Sequence, residues 1–227
     1  MYAFLLLCLP CLTIYLMLTN RQYQFKSLIP PALTGLIASI AVCVIRGFFI
    51  TYTHWWTDSF FATLIFIALR DTILPAIIMC ALFFLFSKDT WTYKAASVTP
   101  LMGFFLSVYI PYLILSGSNM ERHTAFILFV KPVLIAAYLL ALTVLVRHAV
   151  KSFTADNKRN GILYTAACIA VMFIPALTET LWYLHVIAIL WISLAVLFTA
   201  GAIALHLFHT PKVTETERIP VFMTMDN

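Results

Sequence analysis

Residues 59–87 read SFFATLIFIALRDTILPAIIMCALFFLFS, an apolar run whose only charges are Arg70 and Asp71, with Pro75 four positions beyond the aspartate. Two readings compete. Either the run crosses a membrane once as a long tilted helix, or the charge pair marks a loop between two shorter pieces. The choice decides how often the chain crosses and on which side each later loop lies.

Composition sets the class in which that choice is made. Of 227 residues, 63% are hydrophobic and 10% charged, and the mean hydropathy is strongly positive. Such a chain is an all-α, polytopic membrane protein with the lipid bilayer as its solvent. Its length suits about seven helices of ~20 residues with short connections and leaves no room for a soluble domain. The expected organisation is one transmembrane domain, 1–209, and a polar tail, 210–227. The five cysteines, Cys8, Cys11, Cys43, Cys80 and Cys168, lie in apolar runs, where a thiol packs as a small hydrophobe. Neither a disulfide framework nor a zinc site is expected, the C-x-x-C spacing of Cys8 and Cys11 included. The net charge of +5 does not point to nucleic acid, because the basic residues are scattered among loops.

Uninterrupted apolar length predicts spans at Tyr2–Thr19, Leu28–Ile50, Ser59–Ser87, Ala96–Ser116, Thr124–Val146, Ile162 to about Thr180, and about Tyr183 to Phe208. The first lacks a basic leader and a small-residue cleavage site, so it is expected to stay as a helix. Loop charges then arbitrate over residues 59–87. With a single crossing there, Arg21, Lys26, Lys88, Lys94, Arg147, Lys151, Lys158, Arg159, Lys212 and Arg218 share one side, against Arg122 alone on the other. That asymmetry is the positive-inside signature, and a double crossing would scramble it. The sequence therefore predicts seven spans, the N-terminus outside and the C-terminus in the cytoplasm, with part of the third span tilted or interfacial on the outer side.

This topology puts five charges in or near the outer half of the bundle: Arg46, Arg70, Asp71, Lys131 and Glu179. Each would cost at least ~2.5 kcal/mol facing lipid at the bilayer centre, so they are expected to face inward and to pair. They form the candidate polar cavity or binding site, with His54, His123 and His185 near the same side. Arg46 and Glu179 are close enough to the interface to snorkel. On an α-helix the adjacent Arg70 and Asp71 diverge by about 100°, which predicts that each finds its partner on another helix. Pairing that fixes helix register is the favoured reading of the set. No H-x-x-x-H or H-E-x-x-H spacing occurs, and neither a metal nor a cofactor is expected.

Several stretches together resemble the PrsW family of bacterial intramembrane proteases, over nearly the whole chain. LLLCLPCLTIYLMLTNRQYQFKSLIPPALTGLIASI, residues 5–40, is similar to the family's first hairpin. FIALRDTILPAI, 66–77, lies where the family has E-E-x-x-K, and LMGFFLSVYIPYLI, 101–114, resembles its G-F-A-x-x-E-N helix. LFVKPVLIAAYLL, 128–140, falls where a proline precedes a family histidine. KSFTADNKRNGILY, 151–164, resembles the cytoplasmic connection, and FIPALTETLWYL, 173–184, the segment with the last histidine. Residue on residue, the glutamate pair falls on Arg70 and Asp71, and the motif lysine on Leu74. The next glutamate and asparagine fall on Val108 and Tyr109, the first histidine near Ala136, and the last at or beside Glu179.

Hydrolysis inside a membrane needs a general base to activate water and a group to stabilise the oxyanion. Of the groups the resemblance would supply, only Asp71 and Glu179 can titrate usefully, and the neighbouring Arg70 would hold Asp71 as a carboxylate. The resemblance thus implies a non-catalytic PrsW-like protein of the bacterial cytoplasmic membrane, a scaffold or binding subunit for a helix of another membrane protein. An active protease using Asp71 and Glu179 near the outer face is the alternative. A small permease component for an anionic solute, drawn by Arg46, Arg70 and Lys131, is the third reading.

Overall fold

The computed structural model describes residues 25–52, 59–85, 91–118 and 125–209. They are helical apart from short connections, and no strand occurs among them. The expected span Tyr2–Thr19, Cys8, Cys11, His54, His123 and the tail from Thr210 lie outside the described residues. In chain order the helices are α1 (Phe25–Tyr52), α2 (Phe60–Ile67), α3 (Leu74–Leu85), α4 (Trp91–Ser118), α5 (Lys131–Thr154), α6 (Lys158–Tyr183) and α7 (Ala188–His209). Two π-helical segments are inserted, Ala68–Ile73 between α2 and α3 and Phe126–Val130 ahead of α5. Among the described residues five helices are long and apolar enough to cross a membrane: Ile29–Phe48, Phe60–Leu82, Phe126–Thr154, Lys158–Tyr183 and Ala188–His206. A shorter apolar stretch, Leu101–Ser116, lies within α4.

The chain is helical without a break from Phe60 to Leu85, so Arg70 and Asp71 mark no loop. They sit instead in a π turn, where the backbone bond pattern widens from i→i−4 to i→i−5. The N–H of Leu74 donates to the carbonyl of Leu69, and the N–H of Lys131 to that of Phe126. Each π segment ends two residues before a proline, Ile73 before Pro75 and Val130 before Pro132. A proline inside a helix removes one N–H and crowds the carbonyl a turn upstream. Widening the preceding turn relieves that crowding, and in a bilayer the carbonyls it disturbs need donors from within the protein. One donor is visible: the Tyr138 hydroxyl, buried on α5, donates to the carbonyl of Thr72 at 2.5 Å. Tyr138→Phe is expected to lower stability by about 1 kcal/mol, read as a shift in the thermal midpoint in detergent.

The chain forms two compact units. In the first, which includes residues up to Ala41 and Leu82–Pro111, α1 and α4 meet backbone to backbone. A Cβ placed on Gly35 would run into the carbonyl oxygen of Leu101 and lie 3.1 Å from its Cα. On α4, Leu101, Phe105 and Tyr109 recur every fourth residue and are buried along one stripe, the last two rings 5.3 Å apart.

The second unit, Val42–Ala81 and Tyr112–His209, contains Arg46, Arg70, Asp71, Lys131 and Glu179. Here α5 packs most extensively on α6 and next on α7, and α6 also packs against α2 and the first π segment. Small residues permit the close approaches. Ala68 meets Ala176 beside Ile67, and Ala137 and Ala141 meet Ala202. At one end of α5, Phe126 stacks on Trp182 at 4.5 Å and meets Trp191 edge-on at 5.4 Å. Among the described residues, the connections after α5 and α6 use the same device. After α5, Asn157 donates to Ser152 and Asp156 to Phe153; after α6, Val186 donates to Leu181 and His185 to Trp182. These are Schellman pairs, whose left-handed residue is here Asp156 (φ 55°) or His185 (φ 54°) in place of glycine. Asp and His tolerate that region better than most side chains.

Candidate functional site

Four helical stretches of the second unit deliver five charged residues to one place. Arg46 comes from the later turns of α1, Arg70 and Asp71 from the first π segment, Lys131 from the first position of α5, and Glu179 from the last turns of α6. Asp71 is the centre. Its Oδ1 accepts from Arg46 Nε at 2.7 Å and from Arg70 Nε at 2.9 Å. Its Oδ2 accepts from Arg70 Nη2 at 2.7 Å and from Lys131 Nζ at 2.8 Å. Lys131 Nζ also donates to Glu179 Oε1 at 2.5 Å, and Arg70 Nη2 lies 3.6 Å from that same oxygen. Side-chain exposure falls from 13% at Glu179 to 1% at Asp71, so the centre is sealed and Glu179 forms the edge.

The pairing of Arg70 with Asp71 departs from the expectation drawn from the sequence. Neighbours on an α-helix diverge too far to share a fork, yet here the guanidinium grips the adjacent carboxylate with two bonds. The π turn is the reason: more residues per turn means a smaller angle between neighbours, and the long arginine side chain closes the rest. The other half of that expectation is met. Asp71 also takes Arg46 and Lys131 from α1 and α5, and Arg70 reaches towards Glu179 on α6.

The surroundings complete the arrangement. Arg46 Nη1 donates to Ser116 Oγ at 2.5 Å, whose hydroxyl donates in turn to the carbonyl of Leu113 at 3.1 Å. The Arg46 guanidinium lies 5.5 Å from the Tyr112 ring centre, and that of Arg70 5.2 Å from the Phe66 ring centre. Such face contacts favour a cation most where water is excluded. Sequence reading did not single out Ser116, Tyr112 or Tyr138; only their places within apolar spans could have drawn attention to them. Thr178 and Thr180, which flank Glu179, return their hydroxyls to the carbonyls of Ile174 and Ala176 and do not join the cluster.

Positions singled out by the resemblance are spread more widely. Val108 and Tyr109 belong to the first unit, so only Arg70, Asp71 and Glu179 of the aligned positions share this cluster. Near Ala136 it is Tyr138 that makes the polar contact, on the Thr72 carbonyl. His185 is held in the turn after α6 by its backbone. Among the described residues no group of three or more His, Cys, Asp or Glu is placed to hold a metal ion, and Cys43, Cys80 and Cys168 are free thiols.

Chemically, the cluster is a clasp. An ionised carboxylate has about four lone-pair positions, and all four on Asp71 are taken by cationic donors. Removing the Asp71 carboxylate from such a buried set leaves its cationic partners uncompensated, the costly case for buried ion pairs. Fold and cluster together define a class, an all-helical chain with several helices long and apolar enough to cross a membrane, drawn together by buried charge. Comparison with protein-family models, with characterised proteins and with solved structures finds no match.

Proposed function

We propose that the chain is a non-catalytic, PrsW-like integral membrane protein that holds a helix of another membrane protein. In this reading it crosses a bacterial cytoplasmic membrane seven times, with the N-terminus outside. The five described spans, the apolar stretch Leu101–Ser116 and the apolar sequence Tyr2–Thr19 together support the crossing number. The observation that carries the non-catalytic reading is the saturation of Asp71. A general base needs a lone pair directed at water, and a carboxylate 1% exposed with four cationic hydrogen bonds has none to offer.

One observation favours the protease reading. Glu179 is the most exposed member of the cluster, and among the described residues its Oε2 has no hydrogen-bond partner. A lone carboxylate at the edge still lacks the second acid that hydrolysis requires, because Asp71 is saturated by its four donors. The same saturation weakens the permease reading, since Arg46, Arg70 and Lys131 donate to the chain's own anions.

The test is purification in mild detergent followed by incubation with single-span membrane substrates. A stoichiometric membrane partner and no cleavage is the expected result. Cleavage that disappears in Glu179→Gln while the protein stays folded would establish the protease instead.

A further inference from the structure

The cluster is complete at its centre and incomplete at one edge. Lys131 Nζ carries three N–H donors and uses two, on Asp71 Oδ2 and Glu179 Oε1. Glu179 commits Oε1 to Lys131, with Arg70 nearby, while Oε2 is left without a hydrogen-bond partner among the described residues. Among the described residues, therefore, Glu179 Oε2 and the third N–H of Lys131, two groups on side chains already joined by a hydrogen bond, have no hydrogen-bond partner. The position of this edge along the chain is marked as well. Trp182 follows Glu179 by three residues, less than one helical turn, and stacks on Phe126 beside Trp191. Tryptophans grouped at the end of apolar helices are the usual signature of the membrane–water interface.

We propose that the helix held by this protein presents a carboxamide, the side chain of an asparagine or glutamine, to the Glu179–Lys131 edge. The proposal rests on the partner-helix reading above and names the chemistry that the reading leaves open. Water answers such an edge when it is uncovered; a helix that covers it must replace the water group for group or leave two polar atoms unmade in an apolar setting. A planar carboxamide does so in one residue, its N–H₂ donating to Glu179 Oε2 and its oxygen accepting from Lys131. A lysine or arginine would instead meet Lys131 and Arg70, and a carboxylate would meet Glu179. An apolar side chain satisfies neither atom. The amide must lie about one turn in from the partner's interfacial end, at the depth Glu179 has below Trp182.

The experiment places the full chain in lipid vesicles with labelled polyleucine single-span peptides, read by energy transfer. The peptides carry Asn, Asp, Lys or Leu one turn from the end. The Asn peptide is expected to associate about three- to tenfold more tightly than the Leu peptide. Glu179→Gln turns the open acceptor into a donor, so the preference is expected to move from the Asn peptide to the Asp peptide. That exchange also reports that the variant is folded. Equal association of the Asn and Leu peptides overturns the carboxamide and leaves the partner-helix reading standing, whereas no association by any peptide overturns both. An Asn preference unchanged in Glu179→Gln overturns the assigned edge.

Discussion

Asp71→Ala is expected to cost about 3–5 kcal/mol, enough to remove most of the folded chain from a detergent extract. Arg46, Arg70 and Lys131 all donate to the lost carboxylate, and they stay buried when it is gone. Glu179 can compensate only part of that charge, through Lys131 and at longer range Arg70. Asp71→Asn is a milder change of the same sign. Its amide oxygen still accepts from one side, but its N–H₂ faces donors on the other, so the variant is expected to fall between alanine and the unaltered chain. The monodisperse fraction on size exclusion and the thermal midpoint in detergent measure both. An Asp71 that served only as a catalyst would behave differently: Asp71→Asn would fold as the unaltered chain does, with cleavage alone lost.

The second large effect lies in the other unit, at Gly35. A Cβ there meets the carbonyl oxygen of Leu101, lies 3.0 Å from the carbonyl carbon and 3.1 Å from the Cα, and no side chain can swing aside to relieve it. Only separation of α1 from α4 makes room. Gly35→Ala is therefore expected to lower stability by about 1–3 kcal/mol, and Gly35→Leu by more. Gly201 is the internal control. A Cβ on it meets nothing within 4 Å, so Gly201→Ala is expected to be neutral or to gain up to about 1 kcal/mol from helix propensity. Comparable losses at the two glycines would contradict the direct backbone contact at Gly35.

Which features were legible in the sequence follows from what each depends on. Apolar length needs no tertiary information, so the helices containing Leu28–Ile50, Ile162–Thr180 and most of Thr124–Val146 could be read off directly, apart from a few residues at the ends. The connection after α6 was legible only in part: the expected last span began at about Tyr183, whereas α7 begins at Ala188 after the turn at His185. The cost of exposing charge to lipid brought Arg46, Arg70, Asp71, Lys131 and Glu179 into one set, and they do share a cluster.

The hub of the cluster was harder to see, for a local reason. The 100° rule for neighbours holds only while a helix is α, and Pro75 and Pro132 each follow a turn that is not. Leu-Pro and Lys-Pro inside apolar runs were the available signal. Ser116 and Tyr138 could not be anticipated, because a hydroxyl in an apolar span is equally at home on its own helix's carbonyl, as Thr178 and Thr180 are.

The central claim is that Asp71 holds helices together through Lys131 and the two arginines. A double-mutant cycle on thermal or denaturant unfolding in detergent tests it most directly, with Asp71→Asn, Lys131→Met and the pair. The account predicts that the double variant is more stable than the sum of the single losses allows, with a coupling of at least about 0.5 kcal/mol across the bond between π segment and α5. Losses that simply add, in single variants that fold as well as the unaltered chain, would contradict it.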